Sequence, residues 1–168
     1  MEGKIIIVGA TGYTGSALAK LLKQENIDCH LIGRNESELQ KLANKTGQPF
    51  SVCSNVSDEQ SVSESLSSIA NDKILGFAYC VGSIVLKSFQ TTKSEDFINT
   101  FNLNVTGAIL FIKKLQKQLA ENNGSIVLFS TVAVDRGFNM HSVISSAKGA
   151  VQGLTTSLAA EFAHKIRV

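Results

Sequence analysis

Three glycines spaced three apart, Gly9, Gly12 and Gly15, carry the clearest chemical signal in this 168-residue chain. They belong to the run Gly9-Ala10-Thr11-Gly12-Tyr13-Thr14-Gly15, which follows the apolar stretch Lys4-Ile5-Ile6-Ile7-Val8 and opens a helical one. In a strand-to-helix turn one glycine permits the sharp reversal. Another lets the backbone approach a pyrophosphate, and a third lets the helix pack closely on the strand. The free N–H groups and partial positive charge at the helix start then attract the anion. Glycine spacing alone is weak; after a buried strand and at the head of a helix it points to a bound dinucleotide, with Thr11, Tyr13 and Thr14 in the same turn. Further on, Leu31-Ile32-Gly33-Arg34-Asn35 has no carboxylate before Glu36. An acidic side chain here would hold a ribose 2′-hydroxyl, whereas a guanidinium pairs with a 2′-phosphate. Arg34 therefore favours NADP(H), with NAD(H) still open. Asn35 reads equally as a ligand contact or as the cap of the next helix.

These residues need strands and helices to hold them. Lys4–Gly9 is β-branched and lacks polar alternation, as a strand buried on both faces does. A helix from Thr14 to about Glu25 follows, with Ala17, Leu18, Leu21 and Leu22 on one face. Ile27–Ile32 reads as a strand, Glu36–Lys45 as a helix and Phe50–Cys53 as a strand. Ser57 is expected to cap a third helix, with Gln60 in capping-box position. Ile74–Val81 is the fourth strand. A long helix runs from Ser94 to about Asn122, with Phe97, Phe101, Val105, Ile112, Leu115 and Leu119 on its apolar side, and Asn123-Gly124 stops it. Ser125–Phe129 is the fifth strand. Ser142–His164 is the last helix, with Val151, Leu154, Leu158 and Phe162 at helical spacing. Strict alternation of buried strands and helices predicts one α/β domain over residues 1–168: a three-layer, Rossmann-type, doubly wound parallel sheet in the order 3-2-1-4-5. Lys165-Ile166-Arg167-Val168 reads as the start of a sixth strand, so the chain is expected to be a piece of a longer domain whose fifth strand would otherwise expose an apolar edge.

The chain resembles the short-chain dehydrogenase/reductase family from Lys4 to Val168. Asn102-Leu103-Asn104-Val105-Thr106-Gly107 is similar to the family's long-helix motif, with Asn104 as its active-site asparagine. Gly124-Ser125-Ile126-Val127-Leu128-Phe129-Ser130-Thr131 is similar to its fifth strand and serine motif. Ser146-Ala147-Lys148-Gly149-Ala150-Val151, continuing to Leu158-Ala159-Ala160-Glu161, resembles its catalytic-lysine helix. The resemblance implies hydride transfer between a nicotinamide cofactor and a carbonyl or hydroxyl of a small molecule. It also implies a homodimer or homotetramer built through helices 94–122 and 142–164, with Phe101, Ile109, Val151, Leu158 and Phe162 as contact candidates. The glycine spacing is closer to extended or atypical members. Asn55-Val56 stands where many members place Asp-Val toward the adenine. Tyr79-Cys80-Val81-Gly82 replaces Asn-Asn-Ala-Gly, and Gly82 keeps the close approach to the cofactor.

The largest departure concerns the proton. Reduction of a carbonyl develops an alkoxide, which needs a proton or a positive field. In the family a tyrosine four residues before the lysine supplies it, and the lysine's charge lowers the tyrosine's pKa. Here that position is Ile144, which has no proton to give. Asn104, Thr131 with Ser130 beside it, and Lys148 remain as the catalytic set, with Lys148 also contacting the cofactor ribose. Three replacements for the donor stay open: Lys148 directly or through water, a relay by Ser130 or Thr131, and His141, one turn before Ile144. The alternative is a nucleotide-binding sensor or scaffold without turnover.

Composition limits the remaining classes. Sixteen basic and 14 acidic residues leave a net charge of +2, and charged residues make up 18%, below the roughly 25% of ordinary soluble domains. No basic stripe suits nucleic acid, and no apolar run approaches the ~20 residues that cross a bilayer. The start, Met1-Glu2-Gly3-Lys4, does not read as a signal peptide. Cys29, Cys53 and Cys80 form no metal or disulfide pattern and are expected to be buried thiols in a reducing cytoplasm. No metal is expected.

Overall fold

In the computed structural model, which describes residues 3–168, β1 (Lys4–Val8) runs through the middle of a parallel sheet. Its Ile6, Ile7 and Val8 have no exposed surface, which explains the unbroken β-branched run. α1 (Tyr13–Gln24), β2 (Cys29–Gly33), α2 (Glu36–Thr46), β3 (Phe50–Val52) and α3 (Glu59–Leu66) follow in order. β4 (Ile74–Tyr79), α4 (Ser94–Phe101), a π-helical turn (Asn102–Thr106), α5 (Gly107–Glu121), β5 (Ser125–Leu128), α6 (Ala133–Arg136) and α7 (Ser142–Glu161) complete the chain. The five strands lie in the order β3-β2-β1-β4-β5, all parallel. Ile7 pairs with Leu31 on one side and Ala78 on the other.

Successive β1 side chains feed two opposite cores, which makes three layers. Ile7, Leu31 and Cys29 meet Ala19 and Leu22 of α1 and Leu39 and Leu42 of α2. Ile6, Val8, Phe77 and Tyr79 meet Val62 of α3, Phe111 and Leu115 of α5, and Phe162 just past α7. Phe77 stacks on Phe111 with ring centroids 6.1 Å apart.

Several local expectations need correction. The buried stripe of α1 is Gly15, Ala19 and Leu22, while Leu21 is 53% exposed and Ala17 is exposed. The glycine turn sets the helix against β1 through Gly15, so positions 15, 19 and 22 face inward. Ser57 does not cap α3. Asn55 Oδ1 accepts the Ser57 N–H at 3.0 Å, an Asx turn that holds Ser57 outside the helix. The cap is Asp58, whose Oδ1 accepts from Ser61 N–H at 2.7 Å. The long helix is interrupted by the π-turn. The last helix ends at Glu161, and His164 takes a left-handed φ of 71°. Cys29 and Cys53 are buried, but Cys80 is only half-buried. Val151 and Phe162 belong to the interior, at 3% and 7% exposure, so they offer no surface for association.

The C-terminal residues pair with β5 as a sixth strand would begin. Ile126 N–H donates to Arg167 O at 2.7 Å, and Arg167 N–H donates to Gly124 O at 3.0 Å. Beyond that pairing, Val127 is 48% exposed and Phe129 37%. Among the described residues no helix is long and apolar enough to cross a membrane.

Candidate active site

The glycine turn is shaped by what a side chain would strike. Gly9 has φ +79°, and a Cβ there would lie 2.9 Å from the Cys80 carbonyl carbon and the Val81 nitrogen. Only glycine lets β1 end this close to the end of β4. A Cβ on Gly15 would collide with the Gly9 carbonyl, so Gly15 is what lets α1 pack on the strand. Gly12 precedes α1 without a side-chain cap, and the helix has no acidic residue in its first turn. The first intrahelical bond is Ser16 N–H to Gly12 O, at 2.9 Å. The N–H groups of Tyr13, Thr14 and Gly15 therefore have no helical acceptor and form an anion-binding start. Tyr13, 95% exposed, and the exposed Thr14 stand at its rim.

A cleft of about 330 Å³ opens above this turn, at the C-terminal ends of the strands. Gly9, Thr11, Gly12, Arg34, Asn55, Val56 and Gly82 line it together, with Ser83 and Leu103 completing the wall. Seven of the expected cofactor residues thus meet in one place, where ligands bind in doubly wound sheets. Arg34 is exposed, and its side chain makes no ion pair among the described residues. Asn35 serves as the cap of α2: its Oδ1 accepts from Glu38 N–H at 3.1 Å and from the Ser37 hydroxyl at 2.9 Å. Cys80 also reaches the cleft, but burial pushes its thiol up to about 11, which leaves it a poor nucleophile.

Gly82 marks where the cleft meets the catalytic candidates. A Cβ on Gly82 would lie 3.2 Å from Asn104 Oδ1 and 3.8 Å from Lys148 Nζ. Asn104 is 1% exposed. Its Nδ2 donates to Thr100 O at 2.9 Å, while its Oδ1 is buried with no partner. A buried, unpaired amide oxygen is costly unless something supplies a proton to it. Lys148 is half-buried and has no carboxylate partner among the described residues, and burial lowers its pKa from 10.5. Ser130 joins the same corner, its hydroxyl donating to Lys148 O at 3.4 Å. Thr131 Oγ1 accepts from Ala133 N–H at 3.3 Å, a local turn that leads into α6. Ile144, one turn before Lys148, is 3% exposed. His141 Nδ1 lies 2.7 Å from Asn139 O, and its ring packs edge-on to Phe138.

These observations fit a dinucleotide phosphate. Gly9 lets the turn start close against Cys80 and Val81, the α1 amides suit a pyrophosphate, Arg34 suits a 2′-phosphate, and Gly82 leaves room beside Asn104 and Lys148. Reading residues in order had overlooked Tyr79. Its hydroxyl donates to Leu103 O at 2.7 Å, beside Asn104. The available signal was Gly107, a glycine within a predicted helix, which there leaves the space that the hydroxyl fills.

Comparison with known proteins bears on the family and the fold. The short chain dehydrogenase family profile matches residues 3–168. The chain is 32% identical over 165 residues to dehydrogenase/reductase SDR family member 6 of Rattus norvegicus, covering 96% of this chain and 66% of that protein. It is 29% identical over 174 residues to a 3-oxoacyl-[acyl-carrier-protein] reductase of Mus musculus, covering 100% of this chain and 73% of that protein. A glucose/ribitol dehydrogenase-type short-chain dehydrogenase/reductase from Brucella melitensis superposes with TM-score 0.92 at 23% identity, covering 99% of this chain and 72% of that one. The chain thus spans roughly two thirds to three quarters of the length of these proteins.

Proposed function

The chain belongs to the short chain dehydrogenase family, and from that premise we propose that it is an NADP(H)-dependent oxidoreductase acting on a carbonyl or hydroxyl group of a small molecule. The observation that carries the reading is the convergence at Gly82 of the nucleotide cleft, the unpaired Asn104 oxygen and the Lys148 ammonium. The α1 amides would hold the pyrophosphate, Arg34 the 2′-phosphate, and Asn55 and Val56 the adenine side. NAD(H) uses the same cradle without the Arg34 pairing. Bound NADPH supplies the hydride.

The chain's own groups handle the proton and the developing charge. Thr131 would donate its hydroxyl hydrogen bond to the carbonyl oxygen, and Ser130 would join it by turning away from Lys148 O. Lys148 would contact the nicotinamide ribose and, with no tyrosine interposed, would deliver the proton from Nζ directly or through a water held by Asn104 Oδ1. Its lowered pKa makes it a better acid than an exposed lysine. His141 is disfavoured as the donor because its ring is already engaged by Asn139 O and Phe138. Whole-chain turnover is tested by following NADPH absorbance with a panel of aldehydes and ketones. Consumption that a Lys148→Met variant abolishes supports the proposal.

One observation favours a second reading. Ile144 is packed and inert where the proton donor would stand, as in a protein that binds the nucleotide without turning it over. Saturable NADPH binding with no consumption across the panel, by wild type and by Ile144→Tyr alike, would select that reading.

A further inference from the structure

In a continuous α-helix the N–H of Gly107 would bond to the carbonyl of Leu103, four residues back. Here it bonds to Asn102 O, five back, which defines the π-turn. The Leu103 carbonyl thereby loses its helical donor, and the Tyr79 hydroxyl, reaching across from the end of β4, donates to it at 2.7 Å. Gly107 makes the substitution possible, because a Cβ there would collide with the Tyr79 oxygen. The phenol ring is fixed from behind by Phe77 and Phe111, with centroids 6.2 and 6.3 Å away. Ser57 adds a second brace, its hydroxyl donating to Asn102 O at 3.0 Å. The residue next to Leu103 is Asn104, whose free Oδ1 faces Gly82 and the cleft. Turns of this kind recur at functional sites.

We infer that Tyr79 is a positioning residue: its hydroxyl, seated on Gly107, holds the π-turn open so that Asn104 presents its free oxygen beside Lys148. The inference rests on the proposed function for its catalytic consequence, but the structural linkage stands apart from it. Tyr79 stays protonated throughout, since burial raises its pKa well above the ordinary phenol value.

The test uses Tyr79→Phe, Gly107→Ala and the double variant, with the Asn104 side-chain amide followed by ¹⁵N–¹H NMR and assigned by its loss in Asn104→Ala. Tyr79→Phe is expected to shift the Asn104 amide and speed its hydrogen exchange by roughly tenfold, while NADPH affinity stays within about twofold. In turnover, kcat falls by roughly tenfold at unchanged KM for NADPH, and adding Asn104→Ala costs nothing further. Gly107→Ala destabilises the wild type more than the Tyr79→Phe background, because the colliding oxygen is gone while Val56 Cγ2, 3.1 Å from the new Cβ, remains. Should Tyr79→Phe fail to fold, the double variant, whose added methyl refills the hydroxyl's space, gives the same readouts. If it too fails to fold, a Tyr13→Phe variant decides: its one remaining phenol must resist ionisation until the chain unfolds. An Asn104 amide unmoved by Tyr79→Phe, additive losses with Asn104→Ala, or ready ionisation of that phenol in the folded chain overturns the inference. A wild type that binds no NADPH would sink the proposed function while the NMR comparison still decides the role of Tyr79.

Discussion

Lys148 and Ile144 define the residue-scale question, because one turn of α7 separates the proposed acid from a side chain with no proton to give. If Lys148 delivers the proton, kcat for reduction falls as pH rises through a pKa below the ordinary 10.5, since only the protonated ammonium can donate. Ile144→Tyr places a phenol one turn before Lys148, where the resemblance puts the family's donor. It is expected to raise turnover at least about tenfold, with circular dichroism checking that the buried site has accepted the larger ring. Arg34→Ala is expected to weaken NADPH about ten- to a hundredfold, the loss of a charge-assisted pair, while changing NADH less than about threefold. The sequence made these residues visible through type and position. It did not reveal their state: the spare oxygen of Asn104 faces Gly82 and Lys148, neighbours distant along the chain. His30 was hidden for the same reason. It lies within an apolar strand, is 2% exposed, and its Nε2 sits 2.7 Å from Ser51 Oγ. Burial, reinforced by Lys4 and opposed by Asp72, lowers its pKa from 6.5 to about 4. The unfolded chain therefore binds the proton more readily than the folded one. Stability is intact above pH 6.5 and is lost as pH falls toward 4, by on the order of 2–3 kcal/mol. Urea denaturation across that range checks this, and a His30→Gln variant is expected to flatten the dependence.

At the scale of elements, glycines do the placing. Gly9→Ala meets both a left-handed φ and backbone atoms 2.9 Å from its new Cβ. It is expected to cost roughly 2–4 kcal/mol in denaturant stability and to abolish nucleotide binding. The strand-turn-helix signal was legible because the turn's requirements are local: glycine positions, a buried run before and a helix after. The break in the long helix was not legible, because an apolar stripe continues through Val105, Ile112 and Leu115 whether or not one turn is overwound. What breaks the turn is the distant Tyr79 hydroxyl and the space at Gly107. The misplaced cap at Ser57 has a similar origin, since Asn55 diverts the Ser57 amide and Asn102 claims its hydroxyl.

At the scale of the molecule, the alternation of buried strands and helices was enough for the layer order and the sheet topology, because parallel crossovers leave few arrangements. Surface against interior was harder: Val151 and Phe162 share helical spacing with exposed neighbours and are taken up by the core. The surface left between α4 and α7 is an apolar groove of about 400 Å³ lined by Phe97, Ile98, Phe101, Val143 and Ala147. Our proposal of a homodimer or homotetramer predicts that light scattering finds at least twice the mass of 18.0 kDa, and that Phe101→Asp returns the chain to monomer without loss of helix content. The central claim is that this chain cradles a dinucleotide phosphate. It is tested most directly by titrating NADPH and NADH and following nicotinamide fluorescence, in a chain that has no tryptophan of its own. Saturable binding of both, with NADPH tighter and the difference erased by Arg34→Ala, is the predicted result. A folded chain that binds neither, or that binds NADH as tightly as NADPH with Arg34 intact, would contradict it.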